Sequence, residues 1–284
     1  MDMDPAYLDD RAVIAISGPE ARDFLQGLVT NDIVGGLAPN VGLYAALLSP
    51  QGKILFDFLV TEGEGALLLD VAQASLDALL KKLRMYKLRA RIEIEARPQL
   101  GVYVGLRGHP DNRLTPYADR AVSFADPRLP ALGVRSIGAK AEMPENLSGP
   151  HDYHARRIEL GVPEAGDFGF EKVFALDAGL EELNAVSFTK GCYVGQELTS
   201  RMKHRATARK RILVVTADAP LPDPGTPVTR GGAEIGELMS NHGWTGFALV
   251  RMDRLEQTQG PILAGEIVVT LKRPAWLSGA SAGS

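Results

Sequence analysis

Residues 187–197 of this 284-residue chain read Ser-Phe-Thr-Lys-Gly-Cys-Tyr-Val-Gly-Gln-Glu. Cys192, the only cysteine in the chain, lies here between Gly191 and Gly195, two residues after Lys190. A nearby ammonium favours the thiolate, which is the form of cysteine that attacks electrophiles and binds metals. The two glycines allow a turn and a close approach of the backbone to a ligand. The stretch therefore predicts a working thiol; the alternative is a buried cysteine that serves only as a small apolar side chain.

The charge around this stretch differs from that of the rest of the chain. Residues 187–211 hold seven cations and one anion, Glu197, whereas the whole chain carries a net charge of −4. A local cationic patch on an acidic protein is typical of a site for a small polyanion or an acidic partner. A solvated linker is the alternative interpretation. The cations are Lys190, Arg201, Lys203, Arg205, Arg209, Lys210 and Arg211.

The composition limits the class of protein. The chain is 45% apolar and 23% charged, which is typical of soluble globular proteins and excludes wholesale disorder. A single cysteine excludes an internal disulfide, and it excludes a zinc or iron–sulfur site built from this chain's thiolates alone. Apolar runs are too short for a membrane span, and the first residues are acidic, unlike a signal or transit peptide. We therefore expect a cytoplasmic protein with neither a membrane nor a nucleic-acid partner.

The pattern of the first part of the chain predicts antiparallel strands covered by helices. Leucines at helical spacing predict an amphipathic helix over residues 72–87. Ser17 and Glu20 have the spacing of a capping box, which predicts a helix over residues 20–28. Apolar runs separated by Pro/Gly turns predict an antiparallel meander. These runs span residues 43–48, 53–61 and 66–71.

Beyond Arg211 the pattern changes to short β runs divided by Pro/Gly turns, which predict a separate all-β barrel or sandwich. Short helices are predicted over residues 151–160 and 178–183. Because helical and strand segments are segregated by domain, the predicted fold class is α+β. The predicted parts are a first region over 1–205 that changes subdomain near 97–150, a β domain over 206–277 and a disordered tail over 278–284.

Residues 190–197, followed by Arg201 and His204-Arg205, resemble the K-G-C-Y-x-G-Q-E signature of the YgfZ-type folate-binding proteins. These proteins belong to the superfamily of the glycine-cleavage T-protein, an aminomethyltransferase. Eight matching residues of this composition form a highly specific motif. The β tail also resembles the C-terminal barrel of T-proteins. Further segments that resemble the superfamily are residues 28–32, 44–53 and 157–163.

The resemblance implies antiparallel sheets and helices in a ring-like T-protein arrangement, with a C-terminal β barrel. It implies a central channel for tetrahydrofolate, including polyglutamylated forms, and no intrinsic metal. It implies a monomer that supports assembly or repair of iron–sulfur clusters in client enzymes, including tRNA-modifying ones. Its partners would then be folate and iron–sulfur client or assembly proteins.

The resemblance also assigns site residues. Asp57 matches the carboxylate that lies near the reactive folate nitrogen in T-proteins. Asp177 and Glu197 are alternative acceptors for the donor edge of a pterin ring, and spacing does not choose between them. The implied catalytic residues are Cys192, Lys190 and Asp57. The implied folate-binding residues are Asp57, Asp177, Gly191, Gly195, Gln196, Glu197, Arg201 and Arg205.

Three functions remain open at this point. The first is folate-dependent maintenance of iron–sulfur clusters, in which Cys192 assists a cluster held jointly with a partner. The second is one-carbon transfer by an aminomethyltransferase or demethylase, with Asp57 as the acid–base group. The third is a binding scaffold. T-proteins have an acidic pair where this chain has Phe56-Asp57, and they lack the cysteine, so both departures disfavour one-carbon transfer.

Overall fold

The structure is a computed structural model that describes residues 5–105, 121–144, 147–204 and 209–277. Arg205 and the predicted tail over 278–284 therefore lie outside the described residues. The chain divides into two compact units. The first unit comprises Met1–Leu48, Phe56–Arg156 and Leu183–Val194. The second unit comprises Ser49–Leu55, Arg157–Glu182 and Gly195–Ser284.

A mainly antiparallel sheet forms one part of the first unit. Its strands are β2 (Arg11–Ser17), β3 (Leu43–Leu48), β4 (Ile54–Gly63), β5 (Ala66–Ala72) and β6 (Glu93–Ala96). In the described part of the chain their order is β3-β4-β5-β2-β6, with β5 antiparallel to β4 and β2 antiparallel to both β5 and β6. The central residues of β2 and β5 are buried on both faces, since consecutive strand side chains alternate in direction. The predicted β3-β4-β5 order is confirmed.

Helices accompany this sheet: α1 (Ala21–Gln26), α2 (Ile33–Gly36) and α3 (Leu76–Lys87). Helix α3 buries Leu79, Leu80 and Leu83, as the leucine spacing predicts. The predicted capping box is wrong, because Ser17 lies at the end of β2 and α1 has no side-chain cap. The carboxylate of Glu20 instead accepts hydrogen bonds from the backbone N–H of Arg91 at 2.9 Å and from its Nε at 2.6 Å. Charge-assisted bonds of this kind are stronger than a neutral cap.

A second antiparallel sheet also belongs to the first unit. Its strands are β1 (Ala6–Tyr7), β7 (Leu100–Gly105), β8 (Ala121–Ala125) and β9 (Val134–Ala139), and their order among the described residues is β1-β7-β9-β8. The sheet draws on residues 97–150, where the sequence predicts a change of subdomain. Helix α4 (His151–Glu159) follows and confirms the helix predicted there.

Buried ion pairs connect the two sheets. Asp70 on β5 accepts from Arg11 on β2 at 2.6 Å and from Arg135 on β9 at 2.5 Å. Arg135 and Arg128 both donate to the hydroxyl of Tyr153 on α4. Because an unpaired buried charge costs several kcal/mol, the Asp70 carboxylate favours the burial of the two guanidinium groups that it pairs with.

In the second unit the strands from residue 210 onward form a closed antiparallel barrel. The strands are β10 (Lys210–Ala217), β11 (Pro227–Arg230), β12 (Ala233–His242), β13 (Thr245–Arg251), β14 (Ile262–Ala264) and β15 (Ile267–Lys272). Their order in the described chain is β10-β13-β12-β11-β14-β15. Apolar side chains such as Leu213, Val228 and Leu238 fill the interior. The predicted all-β domain is confirmed, and it is a barrel.

Other elements of the second unit differ from the sequence prediction. Residues 178–183, predicted as a helix, form consecutive turns. The sequence pattern does not predict the helices α5 (Gln196–His204) and α6 (Met252–Gln257) or the three-residue strand β14. None of the described helices is long and apolar enough to cross a membrane.

Candidate functional site: the cysteine loop and two buried carboxylates

Lys190, which the sequence predicts as a cation acting on the thiol, is buried in the first unit. Its Nζ donates to the backbone carbonyls of Gln26 at 2.7 Å, Val29 at 2.5 Å and Asn31 at 2.8 Å. An ammonium carries three N–H donors, so these three carbonyls use all of them. Burial lowers the pKa of Lys190 to about 8, although the nearby carboxylate of Asp32 acts in the opposite direction.

Further hydrogen bonds join the same two segments. The backbone N–H of Ser187 donates to the carbonyl of Thr30 at 3.0 Å, and the Thr30 hydroxyl donates to the carbonyl of Ala185 at 2.6 Å. The side-chain amide of Asn31 donates to the carbonyl of Asn184 at 2.8 Å. Residues 26–31 therefore hold the chain that leads into the cysteine loop.

Cys192 is exposed, as expected of a working thiol and not of a core cysteine. Gly191 beside it faces open space, since a Cβ built there would meet nothing within 4 Å among the described residues. On the other side, Tyr193 is buried, and Nζ of Lys190 lies 5.1 Å from the centroid of its ring. The thiol thus lies between two buried side chains that contact each other.

Asp57 lies on β4 in the first unit and is buried. The hydroxyl of Tyr44 donates to its Oδ2 at 3.0 Å. The guanidinium of Arg128 in turn lies over the Tyr44 ring, 5.5 Å from its centroid. A tyrosine on a neighbouring strand therefore fixes the orientation of this carboxylate.

Asp177 belongs to the second unit and is also buried. Its Oδ1 has no hydrogen-bond partner among the described residues. Burial raises the pKa of Asp177 to about 6, while Arg211 and Lys210 lower it by smaller amounts. This carboxylate is a buried acceptor with an unused lone pair, and it is the kind of group that a donor on a ligand satisfies.

The second half of the motif opens helix α5. Gly195 has a φ of 83°, and its carbonyl accepts from the Thr199 hydroxyl at 3.1 Å, so the helix starts at Gln196. Glu197 is 86% exposed and pairs with Arg201 one turn later at 2.7 Å. The structure therefore gives the two alternative pterin acceptors, Asp177 and Glu197, opposite environments.

The segment over residues 157–163 has its own structural explanation in the second unit. Arg157 pairs with Glu164 at 2.9 Å and with Asp167 at 2.6 Å. Gly161 ends α4 with a φ of 75°, and a Cβ there would lie 2.5 Å from Cγ of Pro274. The arginine and the glycine of this element therefore serve folding.

The chain is similar to known iron–sulfur assembly factors over most of its length. Iron-sulfur cluster assembly factor IBA57, mitochondrial, from Mus musculus is 34% identical over 90% of this chain and 78% of its own length. The Homo sapiens protein of that name is 32% identical with the same coverage. The chain belongs to the IBA57 family. The Coccidioides immitis homolog is 29% identical over 95% of this chain and 82% of its own length.

Two further comparisons concern the fold of this IBA57-family chain. Residues 209–279 match the family described as CAF17, C-terminal beta-barrel domain. The crystal structure of glycine cleavage system aminomethyltransferase T from Bartonella henselae matches with a TM-score of 0.73 at 15% identity, over 97% of this chain and 87% of that one. The predicted T-protein fold with a C-terminal barrel is confirmed, and membership of the IBA57 family indicates a role in iron–sulfur cluster assembly.

The expectation of a cytoplasmic protein is wrong. The IBA57-family relatives are named as mitochondrial proteins, which points to the mitochondrion. That expectation rested on the composition and on the acidic residues at the start of the sequence, and neither specifies a compartment.

Sequence reasoning identified the exposed thiol but missed the residues that hold it. Thr30 and Asn31 lie in a segment that resembles the superfamily, yet their pattern alone gives no reason to pair them with residues 184–190. Tyr44 beside Asp57 was missed in the same way. The structure places Lys190, Cys192 and Asp57 in the first unit and Asp177, Gly195, Glu197 and Arg201 in the second.

Proposed function

We propose that the chain assembles or repairs iron–sulfur clusters in client enzymes, with Cys192 as one thiolate ligand of a cluster held jointly with a partner. The observation that carries the proposal is the exposure of the chain's only cysteine within the K-G-C-Y motif. A cluster of the two-iron type needs four ligands, and the described residues contain no group of three or more His, Cys, Asp or Glu side chains that could hold a metal. The partner therefore supplies the remaining ligands.

Tetrahydrofolate is the proposed cofactor. The unused acceptor of Asp177 suits the donor edge of a pterin ring, and we choose it over Glu197, whose exposed carboxylate is already paired with Arg201. Asp57, oriented by Tyr44, is the proposed carboxylate for the reduced nitrogens. Bound tetrahydrofolate would supply those nitrogens as carriers of one-carbon groups. Arg201 and Arg205 are the proposed contacts for its anionic tail. Gly191, Gly195 and Gln196 are the proposed positions at which the backbone approaches the folate closely.

The test is complementation of cells that lack their own IBA57-family protein. The wild-type chain should restore the activities of iron–sulfur enzymes, including those that modify tRNA. Cys192→Ala should not, although its free energy of unfolding should change by less than about 0.5 kcal/mol because the side chain is exposed. Full rescue by Cys192→Ala would contradict the proposed thiolate.

The T-protein fold and the buried Asp57 favour one second candidate, an aminomethyltransferase. Cells that lack T-protein provide the matched test. Under the main proposal this chain leaves their glycine cleavage unrestored. Restoration that depends on Asp57 and survives Cys192→Ala would replace iron–sulfur maintenance by one-carbon transfer.

A further inference from the structure

The four residues Lys190–Tyr193 form a small closed loop. Its two end residues, Lys190 and Tyr193, are buried. Their side chains are in contact, with Nζ of Lys190 5.1 Å from the centre of the Tyr193 ring. Its middle, Gly191 and Cys192, is exposed. A cation over an aromatic ring is attracted to the ring's negative face, and the attraction grows when water is excluded.

The ammonium of Lys190 is fixed in position independently of this ring. Its three donors point at three carbonyls, those of Gln26, Val29 and Asn31, all within 2.8 Å. The carbonyl of Gln26 belongs to the last turn of α1, where backbone carbonyls lack partners within the helix. A cation at a helix C-terminus is favourable in any case. Lys190 is thereby tied to the end of α1 and the residues after it, more than 150 positions away in the chain.

From these contacts we infer that Lys190 and Tyr193 act as a clasp that presents the Cys192 thiol at a defined place on the surface. Lys190 is then a positioning residue, which acts on Cys192 through the backbone of a four-residue loop. The inference rests on the proposed function, since a thiolate that joins a cluster on a partner must be held where the partner's ligands meet it. It replaces the expectation that Lys190 acts on the thiol through its charge alone.

Two substitutions separate these roles. Lys190→Met keeps an unbranched apolar stem and removes the charge and the donors. Lys190→Arg keeps the charge, but a planar guanidinium cannot direct its donors at three carbonyls that converge on one point. If the charge alone matters, only Lys190→Met is impaired. If the clasp matters, both are impaired.

The single cysteine makes the measurement direct, because a nitroxide label attached to the native chain reports on position 192 alone. We expect the rotational correlation time of the label to fall by at least about threefold in Lys190→Met and in Lys190→Arg, as the loop gains nanosecond motion. Tyr193→Leu should have the same effect, whereas Tyr193→Phe, which keeps the ring, should behave as wild type. Lys203→Met, at an exposed lysine on α5, is the matched control and should leave the spectrum unchanged.

The folded state is checked by amide hydrogen exchange. Strands β2 and β5 should keep their protection in every variant, while residues 187–193 should exchange about tenfold faster in the impaired ones. A spectrum of Lys190→Arg identical to wild type, or an unchanged spectrum of Tyr193→Leu, would overturn the clasp. The label reports no cluster chemistry, so failure of the proposed function in the Cys192→Ala complementation is distinguishable from failure of the clasp.

Discussion

The burial of the Asp177 carboxylate has a cost to stability, and the same carboxylate is the proposed acceptor for the pterin ring. Its pKa in the folded chain is about 6, above the ordinary aspartate value near 4, so the folded state binds a proton that the unfolded state has released between these values. The stabilisation that this bound proton gives the folded state is therefore fully present below about pH 4. It is lost as the pH rises through about 6.

Removing the charge of Asp177 should change stability and folate binding in opposite directions. Asp177→Asn should raise the free energy of unfolding at pH 7.5 by about 1–3 kcal/mol, since no buried charge remains, and should remove the dependence between pH 4 and 6. The same substitution should weaken tetrahydrofolate binding. Urea unfolding and calorimetric titration measure the two effects, with Asp218→Asn at an exposed site as control. A destabilised Asp177→Asn protein would contradict the cost of burying this charge.

At the scale of elements, Asp70 on β5 bridges β2 and β9, because it pairs with both Arg11 and Arg135. Asp70→Asn should lower the free energy of unfolding by about 3–5 kcal/mol, because it removes the negative charge that pairs with two buried guanidinium groups. Thermal or urea unfolding measures this. Asp253→Asn removes a partly exposed pair with Arg251, and its loss of stability should be much smaller because solvent screens that pair. Equal losses of unfolding free energy in the two variants would show that the buried ion pairs contribute no more to stability than the exposed pair.

The end of α4 gives a second prediction at this scale. Gly161→Ala should cost about 2–4 kcal/mol, since it combines a positive φ with a Cβ pressed against Pro274. Gly149→Ala, where φ is ordinary and no described atom lies within 4 Å of the new Cβ, should change stability by less than about 0.5 kcal/mol. Urea denaturation compares the two alanine variants, and a tolerated Gly161→Ala would refute the close approach.

Elements were predictable where the local pattern is strong. The meander, the leucine-rich α3 and most barrel strands follow from periodicity and turn residues, which act over a few positions. Helix α5 was missed because glycines and charges dominate its start, and residues 178–183 were misassigned because their apolar positions serve the core without helical geometry. The clasp on Lys190 joins segments more than 150 positions apart, and no local pattern encodes that contact.

At the scale of the whole molecule, part of the cationic stretch over residues 187–211 is compensated by groups outside it. Lys203 pairs with Glu181, and Arg211 lies 3.6 Å from Glu182. Lys190 faces backbone carbonyls within the first unit. The surplus charge visible in the sequence therefore overstates the field offered to a polyanion, and the placement of these cations could not be read from their number.

The exposed thiol at the apex of its loop also affects how the purified protein behaves in air. A chain with one accessible cysteine has no internal partner for oxidation, so two molecules that lose their thiol hydrogens to an oxidant join through a disulfide. A dimer that forms during storage and disappears with reductant is then a covalent by-product of Cys192. Such a sample has also lost the free thiol that the proposed function requires.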